Sequence, residues 1–196
     1  MSTRRTRRPT VRSVCAPPPH NDPISTLEEV VDRYIHDYRA GARQEMAYFA
    51  GQPSLQRAIE LAAMSITETG KRHPHQRRIP RNVLKEAKHV LQSVSWKGLR
   101  SFHQLHNTIA NEIGSIRGIG DLTVYDIATR IGAHLGLEPE YVYLHAGTRA
   151  GARALGFSEA DYLAPAVLPP AFHRLKPHEI EDCLCIYKGK LRRAAA

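Results

Sequence analysis

Two amphipathic patterns in this chain are separated by little more than Gly-Ile-Gly, and that connection limits the possible folds more than any other feature. In "IRGIGDLTVYDIATRIG", residues 116–132, Gly118 and Gly120 bracket Ile119. Upstream, Phe102, Leu105, Ile109, Ile113 and Ile116 recur at helical spacing; downstream, Val124, Ile127, Ala128, Ile131 and Leu135 do the same until Gly136. So short a linker turns the second helix back along the first, giving one antiparallel unit.

The rest of the chain also reads as helix. In "STLEEVVDRYIHDYRAGARQEMAYF", Thr26 and Glu29 stand at capping-box spacing, with Leu27, Val30, Val31, Ile35 and Tyr38 on one face. Gly41 is expected to end or bend this helix, and a shorter one runs on to "GQP". Ser54 caps a helix with Leu55, Ile59, Leu61 and Ile66 inward. Residues 81–96 turn Val83, Leu84, Ala87, Val90 and Leu91 inward and end on Trp96 as a packing anchor. Pro139 opens a further helix through "PEYVYLHAGTRAGARALG", whose small residues suit close packing, and "KPHEIEDCLCIYKGKLRR" supplies the last. No β-alternation longer than a few residues and no repeat occurs. The expected class is all-α: a compact helical domain over residues 25–190, between a disordered basic tail (1–24) and a short C-terminal tail (191–196).

With 42% hydrophobic residues in 196, the chain can bury one true core. Its net charge of +9 favours a polyanionic partner. Arg4, Arg5, Arg7, Arg8 and Arg12 face only Asp22 in the tail, which suits a cationic arm that tracks phosphates. Prolines stand where a secretory signal would need an apolar stretch, and no run of 18 apolar residues is present to span a membrane. The three cysteines, Cys15, Cys183 and Cys185, supply no disulfide framework. A cytoplasmic, DNA-associated protein is the expectation. A second basic patch, Lys71, Arg72, Arg77, Arg78 and Arg81, lies in "KRHPHQRRIPR", where two prolines forbid a continuous helix.

The hairpin suits phosphate for a physical reason. Gly118 and Gly120 can both take positive φ, turning amide N–H groups outward, and without Cβ atoms they let an anion approach the backbone. The following helix adds its unsatisfied first-turn amides. Ile119 points inward, Arg117 adds a charge-assisted contact, and Asp121 or Thr123 is expected to cap the helix. The expected phosphate-binding set is Arg117, Gly118, Ile119, Gly120, Leu122 and Thr123, with the basic patch as auxiliary contacts.

This segment resembles the helix-hairpin-helix of the HhH-GPD superfamily of base-excision DNA glycosylases, whose pattern Ile116, Gly118, Ile119, Gly120, Thr123 and Val124 match. "YVYLHAGTRAGARALG" resembles the segment that in the family carries the catalytic aspartate, so the likeness spans about residues 100–156. The resemblance implies a glycosylase-like scaffold gripping double-stranded DNA by its backbone. It also shows what is missing. Leu122 stands where bifunctional members carry the Schiff-base lysine, which removes that route. Alignment on "YVYL" puts Ala146 or Gly147 at the aspartate, alignment on His145 puts Tyr143 there, and alignment on Leu155-Gly156 puts His145 there. Only counting forward from the hairpin reaches an acid, Glu140, the candidate catalytic residue.

Four spaced cysteines for an iron–sulfur loop are absent, no cofactor is required, and family members hold a monovalent cation on hairpin carbonyls that this backbone could also bind. Glu112, Asp126 and Glu179 read as solvated helix faces. His103, His106 and His145 read as ordinary histidines more readily than as a metal trio, and Cys183 and Cys185 point to different helix faces. The leading expectation is a DNA-binding protein without glycosylase activity. The alternatives are a monofunctional glycosylase and an RNA-binding or protein-interaction helical module.

Overall fold

A computed structural model describes residues 23–157 and 160–195, so almost all of the basic tail lies outside the described residues. The architecture is all-α, as expected, with nine α-helices among the described residues: α1 (Leu27–Asp37), α2 (Arg39–Ala50), α3 (Leu55–Ala63), α4 (Arg81–Ser93), α5 (Phe102–Ile113), α6 (Asp121–Leu135), α7 (Ala146–Ala154), α8 (Pro177–Tyr187) and α9 (Leu191–Ala194). None is long and apolar enough to cross a membrane. Local sequence sets several ends. Thr26 Oγ1 accepts the Glu29 amide at 3.2 Å and caps α1, while Glu29 Oε2 reaches back one residue further, to the Ser25 amide at 3.0 Å. Ser54 caps α3 in the same way, and Gly136 ends α6 at φ 71°.

The helices enclose two apolar clusters. One is built by α1, α8, α9 and the 163–175 segment around Tyr34, Phe172 and Tyr187; the other by α3, α4, α5 and α6 around Phe49, Phe102, Ile109 and Ile127. Helix α2 links them, since Tyr38 just before it belongs to the first cluster and Phe49 at its far end to the second.

Several expectations need correction. The first bend falls at Tyr38, not Gly41, because Tyr34 and Tyr38 are buried together as a stacked pair in the first cluster and α2 must leave there toward the second. Residues 139–145 are not helical: Val142–Tyr143 (β1) pairs antiparallel with Tyr162–Leu163 (β2). Val142 and Leu144 enter the first cluster and Tyr143 the second, and only an extended backbone sends successive side chains to opposite sides. The helix therefore waits until Ala146, where Gly151 lies against the Leu184 carbonyl of α8 with no room for a Cβ. Past residue 190 the chain does not leave as a tail, because Leu191 and Ala194 are buried in the first cluster.

Glu179 was expected to be solvated. Its side chain is 1% exposed, held by Arg39 Nη2 at 3.0 Å and by the Lys176 amide at 3.0 Å. These two overcome the cost of burial and keep the carboxyl below its ordinary range.

Candidate functional site

The α5–α6 turn has the form its sequence requires, with one change. The Ile119 amide donates to the Ile116 carbonyl at 2.9 Å, and the Ile119 side chain is buried, so the turn is pinned from inside. Gly118 sits at φ 103°, but Gly120 is extended at φ −117° and serves as the N-cap of α6. Neither Asp121 nor Thr123 caps the helix with its side chain; Thr123 is buried instead. The Thr123 and Val124 amides turn back to the Gly120 carbonyl at 2.8 and 3.1 Å, whereas those of Gly118 and Gly120 have no backbone acceptor among the described residues. Asp121 and Leu122 add first-turn amides that helix geometry leaves unpaired. Arg117, Gly118, Gly120 and Asp121 are exposed and Leu122 is half-buried.

The end of the basic patch at Arg81 reaches the same edge of the molecule. A Cβ on Gly118 would lie 3.6 Å from Val83 in the first turn of α4, the helix that Arg81 begins. Lys71, Arg77, Arg78 and Arg81 are exposed. Arg72 is not available in the same way, because its guanidinium donates to the Gln76 carbonyl and, at 2.8 Å, to that of Ile79, folding the loop on itself.

Helices α2, α6 and α8, with the 73–75 loop, line a partly open cavity of about 640 Å³. One wall is a second stripe on α6, Leu122, Tyr125, Asp126, Thr129, Arg130 and Ala133, at the same helical spacing as the apolar stripe. A chain of hydrogen bonds fixes its charged members. Gln76 Nε2 donates to Asp126 Oδ2 at 2.7 Å, Arg130 Nη1 donates to Gln76 Oε1 at 3.1 Å, and Arg130 Nε donates to Glu45 Oε1 at 3.0 Å. Glu45 Oε2 stands 3.5 Å from His73 Nε2. Burial alone would raise the Glu45 carboxyl, but His73 and Arg130 outweigh it and hold it at about 2. Asp126 moves the other way: desolvation lifts its carboxyl above the ordinary range despite Arg130 and His73.

On the far wall, His145 Nε2 is bonded to Glu181 Oε1, and Thr148 Oγ1 donates to the same oxygen at 2.6 Å. Burial pulls the imidazole down, and the Glu181 contact overrides it and raises it. Asp182 accepts the Tyr34 hydroxyl at 2.9 Å, and burial, reinforced by Glu181, pushes its carboxyl well up.

The sequence candidates are redistributed accordingly. Glu140 does not line the cavity: it is exposed, and Oε1 accepts the Phe102 amide at 3.1 Å, satisfying the first turn of α5. His103 and His106 pack on Tyr143, with His103 Nδ1 3.0 Å from its hydroxyl, so the trio with His145 does not assemble. Asp126, read as solvated, faces the cavity, while Glu112 is exposed as expected. Comparisons with protein-family models, curated proteins and solved structures found no match for the chain.

The His145–Glu181 contact predicts a pH dependence. An imidazole raised in the folded state contributes stability that is complete below its ordinary value of 6.5 and is lost as pH rises through the folded value. The melting-temperature advantage of wild type over His145→Gln should therefore be largest near about pH 6 and shrink toward about pH 9. An advantage that stays constant over that range would contradict the assignment.

Proposed function

We propose that this chain is a DNA-binding protein on a helix-hairpin-helix scaffold of the DNA-glycosylase type, holding the duplex backbone through the Gly118–Gly120 turn. The observation that carries the reading is the pinned, exposed turn whose Gly118 and Gly120 amides have no backbone acceptor among the described residues, beside Arg117 and on the edge shared with Arg81. Amides held this way need no rearrangement to receive a phosphate, and the start of α6 adds a favourable dipole. Backbone contacts of this kind fix position without reading base sequence, so affinity is governed by charge.

The logarithm of affinity for a short duplex should fall linearly with the logarithm of salt concentration. Arg78→Ala and Arg81→Ala should each weaken binding equally across unrelated sequences and reduce the slope by about 1. Binding that ignores salt, or slopes that neither substitution alters, would remove the reading in favour of a protein-interaction module.

A second reading, a monofunctional base-excision glycosylase, is favoured by one observation: the cavity begins at Leu122, in the first turn after the hairpin, and carries Asp126 and Glu181. A flipped base needs a base-sized pocket and a carboxylate within hydrogen-bond reach. Asp126 is the better placed acid, six residues beyond Gly120 and so about 9 Å along the helix axis. On this reading, duplexes with alkylated, deaminated or oxidised bases yield abasic product without strand cleavage, and Asp126→Asn abolishes product while retaining DNA binding. No product from any of these substrates would leave DNA binding alone.

A further inference from the structure

The basic loop also contains His-Pro-His, residues 73–75, and the fold brings it to the second turn of α6. We infer that His73, His75 and Asp126 form a binding site for one divalent first-row transition-metal ion at the wall of the central cavity. Their potential ligand atoms all lie within 4.8 Å of one another. Two imidazole nitrogens and a carboxylate oxygen at about 2.0–2.2 Å from a shared ion stand roughly 3–4 Å apart, so small side-chain adjustments close the site. The ring planes of His73 and His75 are crossed at 74° with centroids 5.3 Å apart, which directs the two rings differently instead of stacking them.

The surroundings resemble those that support metal ligands. Asp126 Oδ2 is held by Gln76 Nε2 at 2.7 Å, leaving Oδ1 for coordination. Glu45 Oε2 lies 3.5 Å from His73 Nε2, a second carboxylate at the site. Partners of this kind orient ligating groups and are as much part of a metal site as the ligands. The charge balance also suits a cation: Asp126 and Glu45 are two carboxylates, and Arg130, 3.8 Å from Asp126 Oδ2, neutralises only one.

An independent observation points to a ligand in the same cavity. The Tyr125 hydroxyl and His145 Nδ1 are buried, belong to residues only 4% exposed that line the cavity, and have no hydrogen-bond partner among the described residues. A coordinated water or an oxygen of a bound anion would satisfy them. Three protein ligands leave coordination positions open toward the cavity, the arrangement of Lewis-acid sites rather than of closed structural ones. The donor set of nitrogen and oxygen suits Zn(II), Fe(II) or Mn(II) better than magnesium or calcium.

The inference is independent of DNA binding, and its test uses metal alone. Metal-stripped full-length protein is titrated with Zn(II) by calorimetry, and with Co(II) by visible absorption. One equivalent should bind tightly, with ligand-field bands of a nitrogen- and oxygen-coordinated ion, and zinc should raise the melting temperature. His75→Ala and Asp126→Asn should each weaken binding by about 100-fold or more, whereas His103→Ala, outside the cluster, should not. His75 lies exposed in its loop, so His75→Ala decides the matter even if Asp126→Asn fails to fold. Zinc binding that is weak, exceeds one equivalent, or survives unchanged in His75→Ala would come from scattered histidines, of which the chain has eleven, and would overturn the assignment.

Discussion

A guanidinium buried in the middle of the molecule organises everything around it. Arg130 is 3% exposed, and such a charge is tolerated only when paired and hydrogen-bonded on several sides. Its partners come from separate elements: Glu45 on α2, Gln76 in the loop before α4, and Asp126 one turn earlier on α6, with the Phe49 ring 5.7 Å away. Satisfying that one cation fixes how α2, the 73–76 loop and α6 meet. The cavity follows, because α6 cannot close its polar stripe against an apolar neighbour.

Helix α6 therefore has two jobs on two faces. Ile127, Ala128 and Ile131 pack into the second apolar cluster and hold the hairpin in register with α5. Tyr125, Asp126 and Arg130 face the cavity. Its first turn begins at the exposed glycine turn, so a strand held by those amides would lie at one end of the same helix whose flank lines the pocket. Backbone binding and pocket chemistry would therefore share one helix.

Features set by neighbours in sequence were legible beforehand. The capping pair Thr26 and Glu29, Ser54, the Gly136 stop and the inward Ile119 depend on a few adjacent residues and the periodicity around them. Features set by tertiary context were not. The β1 segment alternates only because two separate clusters lie on its two sides, which no short pattern reveals. Asp126, Arg130 and Glu179 carry charges that single-helix reasoning assigns to water, and only partners distant in sequence explain their burial. One signal was available for the pocket: Leu122, Tyr125, Asp126, Thr129, Arg130 and Ala133 repeat the helical spacing on a second face. A helix patterned on two faces is enclosed on both.

The most direct test of the account is to follow backbone amide resonances of isotope-labelled protein as a short DNA duplex is added at low salt. The Gly118, Gly120, Asp121 and Leu122 amides should show the largest changes, reversed by raising the salt, because they have no backbone acceptor among the described residues and a phosphate would supply one. If these amides stay unmoved while resonances elsewhere respond, or if no resonance responds, the hairpin does not hold nucleic acid and the central claim fails.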